Sequence, residues 1–327
     1  MRETIEQVRS TVRGLGHAAA VQIGGWSGAA LRRQAGGMVA LTSHAFTASR
    51  RVGPLGEQPA GAFRIFLDRI RRHYEVVTVH EGLRRIEAGA TDPNRPLATL
   101  TVDDGYADNF DVLFPVLQAS GVPATFFVAT EFLDEGRPPW PVEISALLLQ
   151  AEKSSIEWPF AAALAGRRDV AEASAAIKAL WRTSDPAARR EALEALRRHL
   201  DLPRPVMPRP MTWDQCRSLQ RAGHAIGSHT HFHSILPGMP EPVIRAELDQ
   251  SRRRIEAELG EPCDLFAYPN GDSDSACAHL VREAGYAVAF TQDAGVIRSG
   301  ADPLRLPRMH LPPYEHASSL QFRLAAA

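Results

Sequence analysis

Short apolar runs alternate with stretches of helical period along most of this chain. Met38–Thr42 (MVALT), Leu97–Val102 (LATLTV), Pro123–Ala129 (PATFFVA) and His224–Ser228 (HAIGS) read as strands, and so does the β-branched run Glu75–Val79 (EVVTV). Asp264–Ala267, Ala287–Phe290 and Leu306–Met309 complete the series. Between them Phe63, Phe66, Leu67 and Ile70 fall at helical spacing, as do Val112, Val116 and Leu117. Ile244, Leu248, Ile255 and Leu259 mark one face of a long helix. Strands alternating with helices build βα units on a parallel sheet. About seven to eight such units favour an α/β fold of the distorted, TIM-like (β/α) barrel type over an open sheet. The alternation stops between about residues 142 and 210. Val170–Leu200 is rich in Ala, Leu, Arg and Glu, with Ile177, Leu193, Leu196 and Leu200 among its periodic apolar positions, and reads as a helical insertion. The Pro-rich stretch Pro203–Pro210 returns the chain to the barrel, which spans residues 38–327 behind a helical lead-in of residues 1–37.

Composition narrows the function classes. The 327 residues are 44% hydrophobic and 23% charged, enough apolar material for a sizeable core. With 37 basic against 38 acidic side chains there is no basic excess, so a nucleic-acid partner is not expected. Cys216, Cys263 and Cys277 form no CxxC pair, which argues against a disulfide framework and a thiolate zinc site. The longest apolar stretch, Leu15–Leu31, is broken by His17, Gln22, Ser27 and several glycines, and Glu3 and Glu6 follow Arg2, so neither a membrane span nor a signal peptide is expected. The expected location is the cytoplasm. The five Arg and two Glu of residues 1–37 make that segment a candidate peripheral contact with the inner membrane.

Three polar clusters follow candidate strands, where parallel barrels collect their functional groups. The first is Thr101-Val102-Asp103-Asp104-Gly105. Two adjacent acids beyond an apolar strand need solvent, partners or a metal, and because neighbours point different ways one can ligate a cation while the other acts as a base. The second is Gly227-Ser228-His229-Thr230-His231-Phe232-His233. His229 and His233 are four apart, which places both imidazoles on one side of a helical turn, a spacing that suits zinc, while His231 projects away. Two His and a carboxylate make a three-ligand set that zinc or ferrous iron could occupy, and a nearby Asp103 favours hydrolysis. The third, Phe266-Ala267-Tyr268-Pro269-Asn270-Gly271, carries a turn signal, and its backbone N–H groups are candidates for holding an oxyanion.

Together the Thr-Val-Asp-Asp-Gly-Tyr, His-Thr-His-Phe-His and Phe-Ala-Tyr-Pro-Asn-Gly segments resemble the polysaccharide deacetylase family, the NodB-homology carbohydrate esterases. The likeness extends to Gly121–Val128 (GVPATFFV) and the Met38–His44 strand ending, over about residues 38–135 and 210–310. It implies a distorted (β/α) barrel and a divalent metal, usually zinc. It implies Asp104, His229 and His233 as metal ligands and Asp103 as general base. Tyr106, Tyr268, Asn270 and Arg308, in or beside the motifs, are candidate substrate contacts. Where many members carry an Arg that orients the base, this chain has Ala267, a change shared by a subgroup with a Phe-Ala-Tyr-Pro loop. Phe290–Gly295 (FTQDAG) stands in place of the fourth motif, and Leu306–His310 (LPRMH) matches the usual Leu-x-His loosely. His44 and His310 are therefore the two candidates for the general acid, with His44 preferred.

The expected activity is removal of N-acetyl groups from an N-acetylated sugar of a glycan or glycolipid. A deformylase or other linear amide hydrolase with the same site, and a catalytically silent glycan-binding barrel, are the alternatives.

Overall fold

A computed structural model of the chain describes residues 34–53, 55–150, 170–182, 184–200, 202 and 206–311. Nearly all of the lead-in, with its candidate membrane contact, lies outside the described residues, as does part of the insertion.

The sheet is parallel. Its main strands are β1 (Met38–Ser43), β5 (Leu97–Val102), β6 (Thr125–Val128), β7 (Ala225–Ser228), β8 (Leu265–Ala267), β9 (Val288–Phe290) and β10 (Met309–His310). A two-residue β4 (Glu75–Val76) pairs alongside β5, and a separate ribbon joins β2 (Phe46–Thr47) to β3 (Gln58–Pro59). The order is β10-β1-β5-β6-β7-β8-β9, and a parallel bridge from Phe290 to Leu306 draws the two ends toward each other. The sheet is thus curled into a distorted barrel.

Both β1 and β5 are buried over all six residues, which is why they read as continuous apolar runs rather than as an alternating pattern. The period of two still operates, because it sorts side chains between two cores. Val39 and Leu41, with Phe126 and Phe266, join the outer cluster against Phe63, Phe66, Leu117 and Leu248 of the helices. Met38 and Ala40, with Phe127, Leu265 and Phe290, join the inner one. Close packing requires glycine at Gly227, where a Cβ would lie 2.6 Å from the Phe127 ring.

The helices on the outer face are α1 (Ala60–His73), α3 (Phe114–Ser120), α4 (Thr130–Glu135), α8 (Trp213–Arg221), α9 (Glu241–Leu259) and α10 (Ser275–Glu283), while α2 (Val79–Glu87) packs Val79 and Ile86 against the inner cluster. Between α4 and α8 the insertion adds α5 (Trp140–Gln150), α6 (Val170–Trp181) and α7 (Pro186–His199). These pack a core of their own from Trp140, Ile144, Leu147, Ile177, Leu193 and Leu196. Asp185 starts α7, its carboxylate accepting the Ala187 and Ala188 N–H groups with Pro186 in the first turn.

Two boundaries differ from the pattern. The EVVTV run is not one strand: Thr78 Oγ1 accepts the Glu81 N–H and caps α2, so the strand ends at Val76. The last strand is displaced to Met309–His310, and Leu306 contributes only the bridge to Phe290. No helix among the described residues is long and apolar enough to cross a membrane.

Candidate active site and metal centre

Strand β5 delivers Asp103 and Asp104 to the C-terminal rim of the sheet, and their opposite orientations give them different surroundings. Asp103 is 1% exposed and points into the barrel. There the Arg308 guanidinium grips it with two parallel bonds, Nη1 to Oδ1 at 2.8 Å and Nη2 to Oδ2 at 2.9 Å. Arg308 also donates to the Thr291 carbonyl and to Thr101 Oγ1, and lies between the Phe127 and Phe290 rings. Burial pushes the Asp103 carboxyl up, but Arg308 and then the His229 and His44 imidazoles outweigh it and hold the group below its ordinary range. This corrects the reading of Arg308 as a substrate contact. The residue is fully buried (0% exposed) and its donors are committed inside the barrel. From the position just before β10 it supplies the cation beside Asp103 that Ala267, on β8, cannot.

Asp104 faces the rim. Its Oδ1 lies 3.2 Å from His233 Nε2 and 3.5 Å from His229 Nε2. All three residues are buried, and their ligand atoms lie within 4.8 Å of one another. Asp104 Oδ1 has no partner of hydrogen-bonding geometry. The tautomer of His229 is set by its other nitrogen: Nδ1 lies 2.7 Å from the Ala267 carbonyl, which can only accept, so Nδ1 carries the proton and Nε2 presents a lone pair. Burial holds His229 down to about 4, favouring the neutral form that ligates metals. An orphaned carboxylate oxygen facing a lone pair is unfavourable by itself, and a cation between them would relieve it. One oxygen and two imidazole nitrogens are a zinc-type donor set.

The residues do not meet by helical spacing. Residues 229–233 form an irregular turn with Thr230 at φ 65° and His233 at φ 54°, which brings the two imidazole centroids to 4.8 Å. His231 turns away, its Nδ1 lying 2.7 Å from Thr130 Oγ1. Among the described residues, the non-glycine positions with positive φ are Asp104, Thr230, His233 and Asn270, all within the three motifs. Each such backbone costs about 1–3 kcal/mol and persists only where its surroundings impose it.

The two candidate acids occupy one corner. His44 Nε2 lies 3.9 Å from Asp103 Oδ2, and the His310 ring packs edge-on to His44 at 5.1 Å. His44, Asp104 and Tyr106 line a cleft of about 220 Å³, closed on the far side by Ser145 and Lys178 of the insertion. The third motif contributes differently from the expectation. Tyr268 is buried and its hydroxyl donates to the Leu304 carbonyl, so it does not reach the cleft. The Tyr268 and Gly271 N–H groups bond within the fold, and the Asn270 amide donates to Asp272. What the motif offers the metal cluster is the Ala267 carbonyl on His229.

Several cleft residues fall outside the motifs. Asp108 and Glu57 line it beside Tyr106, and burial pushes Asp108 up to about 7. Asp108 sits one helical turn after Asp104, a spacing that could have drawn attention to it. Lys178 is one of two lysines in the chain, a rarity that carries no positional information.

The curled parallel sheet is a distorted α/β barrel, and its acids and imidazoles gather at the C-terminal rim, where parallel barrels carry their functional groups. The polysaccharide deacetylase family profile matches residues 90–289, and the chain belongs to that family. No curated protein sequence matches it. Among solved structures it resembles the Streptococcus pyogenes deacetylase PplD in complex with acetate, with TM-score 0.58 and 16% identity over 87% of this chain and 96% of that one. IcaB from Ammonifex degensii gives TM-score 0.58 and 20% identity over 89% and 97%. The deacetylase domain of BpsB from Bordetella bronchiseptica gives 0.51 and 16% over 84% and 95%. At these identities the structures speak for the shared fold.

Proposed function

We propose that this protein is a metal-dependent N-deacetylase that hydrolyses the acetamide of an N-acetylated sugar in a polysaccharide or glycolipid. The observation that carries the proposal is the buried Asp104 oxygen, without a hydrogen-bond partner and within 3.2 Å and 3.5 Å of two imidazole nitrogens, one residue from a second ionised acid. Membership of the polysaccharide deacetylase family supports the substrate class.

Asp104, His229 and His233 would hold the ion, with Zn2+ the best match to the donor set. A divalent cation there supplies Lewis acidity toward the acetamide carbonyl and the attacking water. Asp103 accepts the proton of that water at a carboxylate oxygen. Its depressed pKa keeps it ionised at neutral pH, and the fork of Arg308 keeps it from rotating. His44 donates a proton from Nε2 to the departing amine. It lines the cleft with Asp104, whereas His310 supports it from behind. Tyr106 walls the cleft and helps to exclude water.

The test is acetate release from N-acetylated oligosaccharides and from a lipid-linked N-acetyl sugar, with and without a chelator. Release that a chelator abolishes and zinc restores is the expected result. Formate release from N-formyl substrates alone, or chelator-insensitive turnover, would overturn the proposal.

A further inference from the structure

The turn that carries His229 and His233 is gripped from outside the barrel. Glu247 of α9, 2% exposed, accepts the His231 and Phe232 N–H groups on Oε2, each at 2.9 Å. Its Oε1 accepts the Ser234 hydroxyl. Arg189 of α7, 3% exposed, donates to that same Ser234 oxygen at 2.8 Å. Trp140 of α5 donates from its indole N–H to the His233 carbonyl at 3.0 Å, and the Arg189 guanidinium lies 4.8 Å from the Trp140 ring centroid. Two of the three elements in this set belong to the insertion. They converge on the segment whose left-handed residues, Thr230 and His233, need outside support.

From this geometry we infer that the helical insertion is part of the metal centre. Trp140, Arg189 and Glu247 are positioning residues that hold the His233 turn in its ligating conformation and so set the affinity for a divalent cation. The inference rests on the proposed metal site. The chemical logic is that of any ligand held from behind. A turn already in its binding geometry loses little freedom when the cation arrives, and supports of this kind are worth about 10–100-fold in metal affinity. Arg189 and Glu247 meet at the Ser234 hydroxyl, which accepts from the one and donates to the other, so the insertion and α9 are joined at a single oxygen of the turn.

The experiment measures zinc affinity by competition with a chromophoric chelator, and the visible absorption of the cobalt-substituted protein, for the full chain. Glu247→Ala is expected to weaken zinc about 10–100-fold and to alter the cobalt spectrum, with Glu247→Gln recovering most of both. Trp140→Phe keeps an aromatic ring in the insertion core and removes the indole hydrogen bond, so about a fivefold loss is expected. Leu180→Ala, at an exposed position of the insertion, should leave affinity unchanged. Circular dichroism of the metal-free variants establishes that they fold, and if Glu247→Ala does not, Trp140→Phe decides. Folded Glu247→Ala or Trp140→Phe protein with wild-type affinity and an unchanged cobalt spectrum would overturn the clamp while leaving the metal site standing. A wild-type protein that takes up neither ion overturns both.

Discussion

Asp103 inside the barrel and the His229–His233 turn at its rim lie next to each other but are secured differently. Asp103 is held by a bidentate ion pair with Arg308, at a buried position where β5 meets the barrel's interior. The turn is held by neutral and charged hydrogen bonds that reach it from α5, α7 and α9. A buried pair is costly to break because the remaining charge has no other solvation. A hydrogen-bonded turn loosens by degrees. If the proposed mechanism holds, damage around Asp103 should cost stability as well as catalysis, whereas damage around the turn should cost metal binding first.

The largest effect should come from removing the ligands themselves. His229→Ala/His233→Ala is expected to lose stoichiometric metal and all measurable turnover with little change in the thermal midpoint of the metal-free protein, because the side chains sit on loops above a packed core. Full metal content by elemental analysis would refute the ligand assignment. Asp103→Asn should retain the metal and lower kcat by about 10²–10⁴-fold, the usual worth of a positioned base. A wild-type rate would make Asp103 purely structural.

Arg308→Ala sharpens the contrast. It leaves Asp103 buried without its countercharge and should cost about 3–5 kcal/mol in urea unfolding. Adding Asp103→Asn to it should recover part of that loss, since the stranded charge is then gone. No recovery in the double variant would mean that Arg308 acts through packing alone.

The smallest effect is a pH slope. Burial raises the folded pKa of Asp108 to about 7 from an ordinary 3.8. Between those values the native state binds a proton that the unfolded state has released, so stability should fall as pH rises, by up to about 1.4 kcal/mol per unit. Asp108→Asn should flatten the curve and be the more stable protein at pH 8, with chelator present in both samples so that no metal ion shifts the balance. An unchanged slope would assign the effect to another group.

The local grammar of this chain was legible because it depends on neighbours in sequence. Buried strands such as MVALT and LATLTV announce themselves by composition, and the three motifs stand out because polar residues follow directly on apolar strands, at the end where parallel barrels collect functional groups. The helical character of the insertion was readable from its period. EVVTV misled because a β-branched run describes a strand and a helix cap equally well until the Thr78 hydroxyl finds its N–H.

Tertiary structure alone decided the rest. Nothing in the sequence spacing joins Arg308 to Asp103 across 205 positions, or Trp140 to the His233 carbonyl across 93. The four-residue interval between the histidines suggested a helical turn, yet the ligand atoms converge through left-handed residues at Thr230 and His233 that isolated backbone preferences disfavour. Tyr268 and Arg308 read as substrate contacts because polar side chains beside a motif look available. Whether a side chain is available depends on which distant atoms fill the space around it, and here the Leu304 carbonyl and the Asp103 carboxylate do so. Composition and period thus specified the elements and the chemical types at their ends. Orientation, charge pairing and the support of strained backbone are properties of contacts between segments far apart in the chain, and they came into being only when the barrel curled and the insertion packed against it.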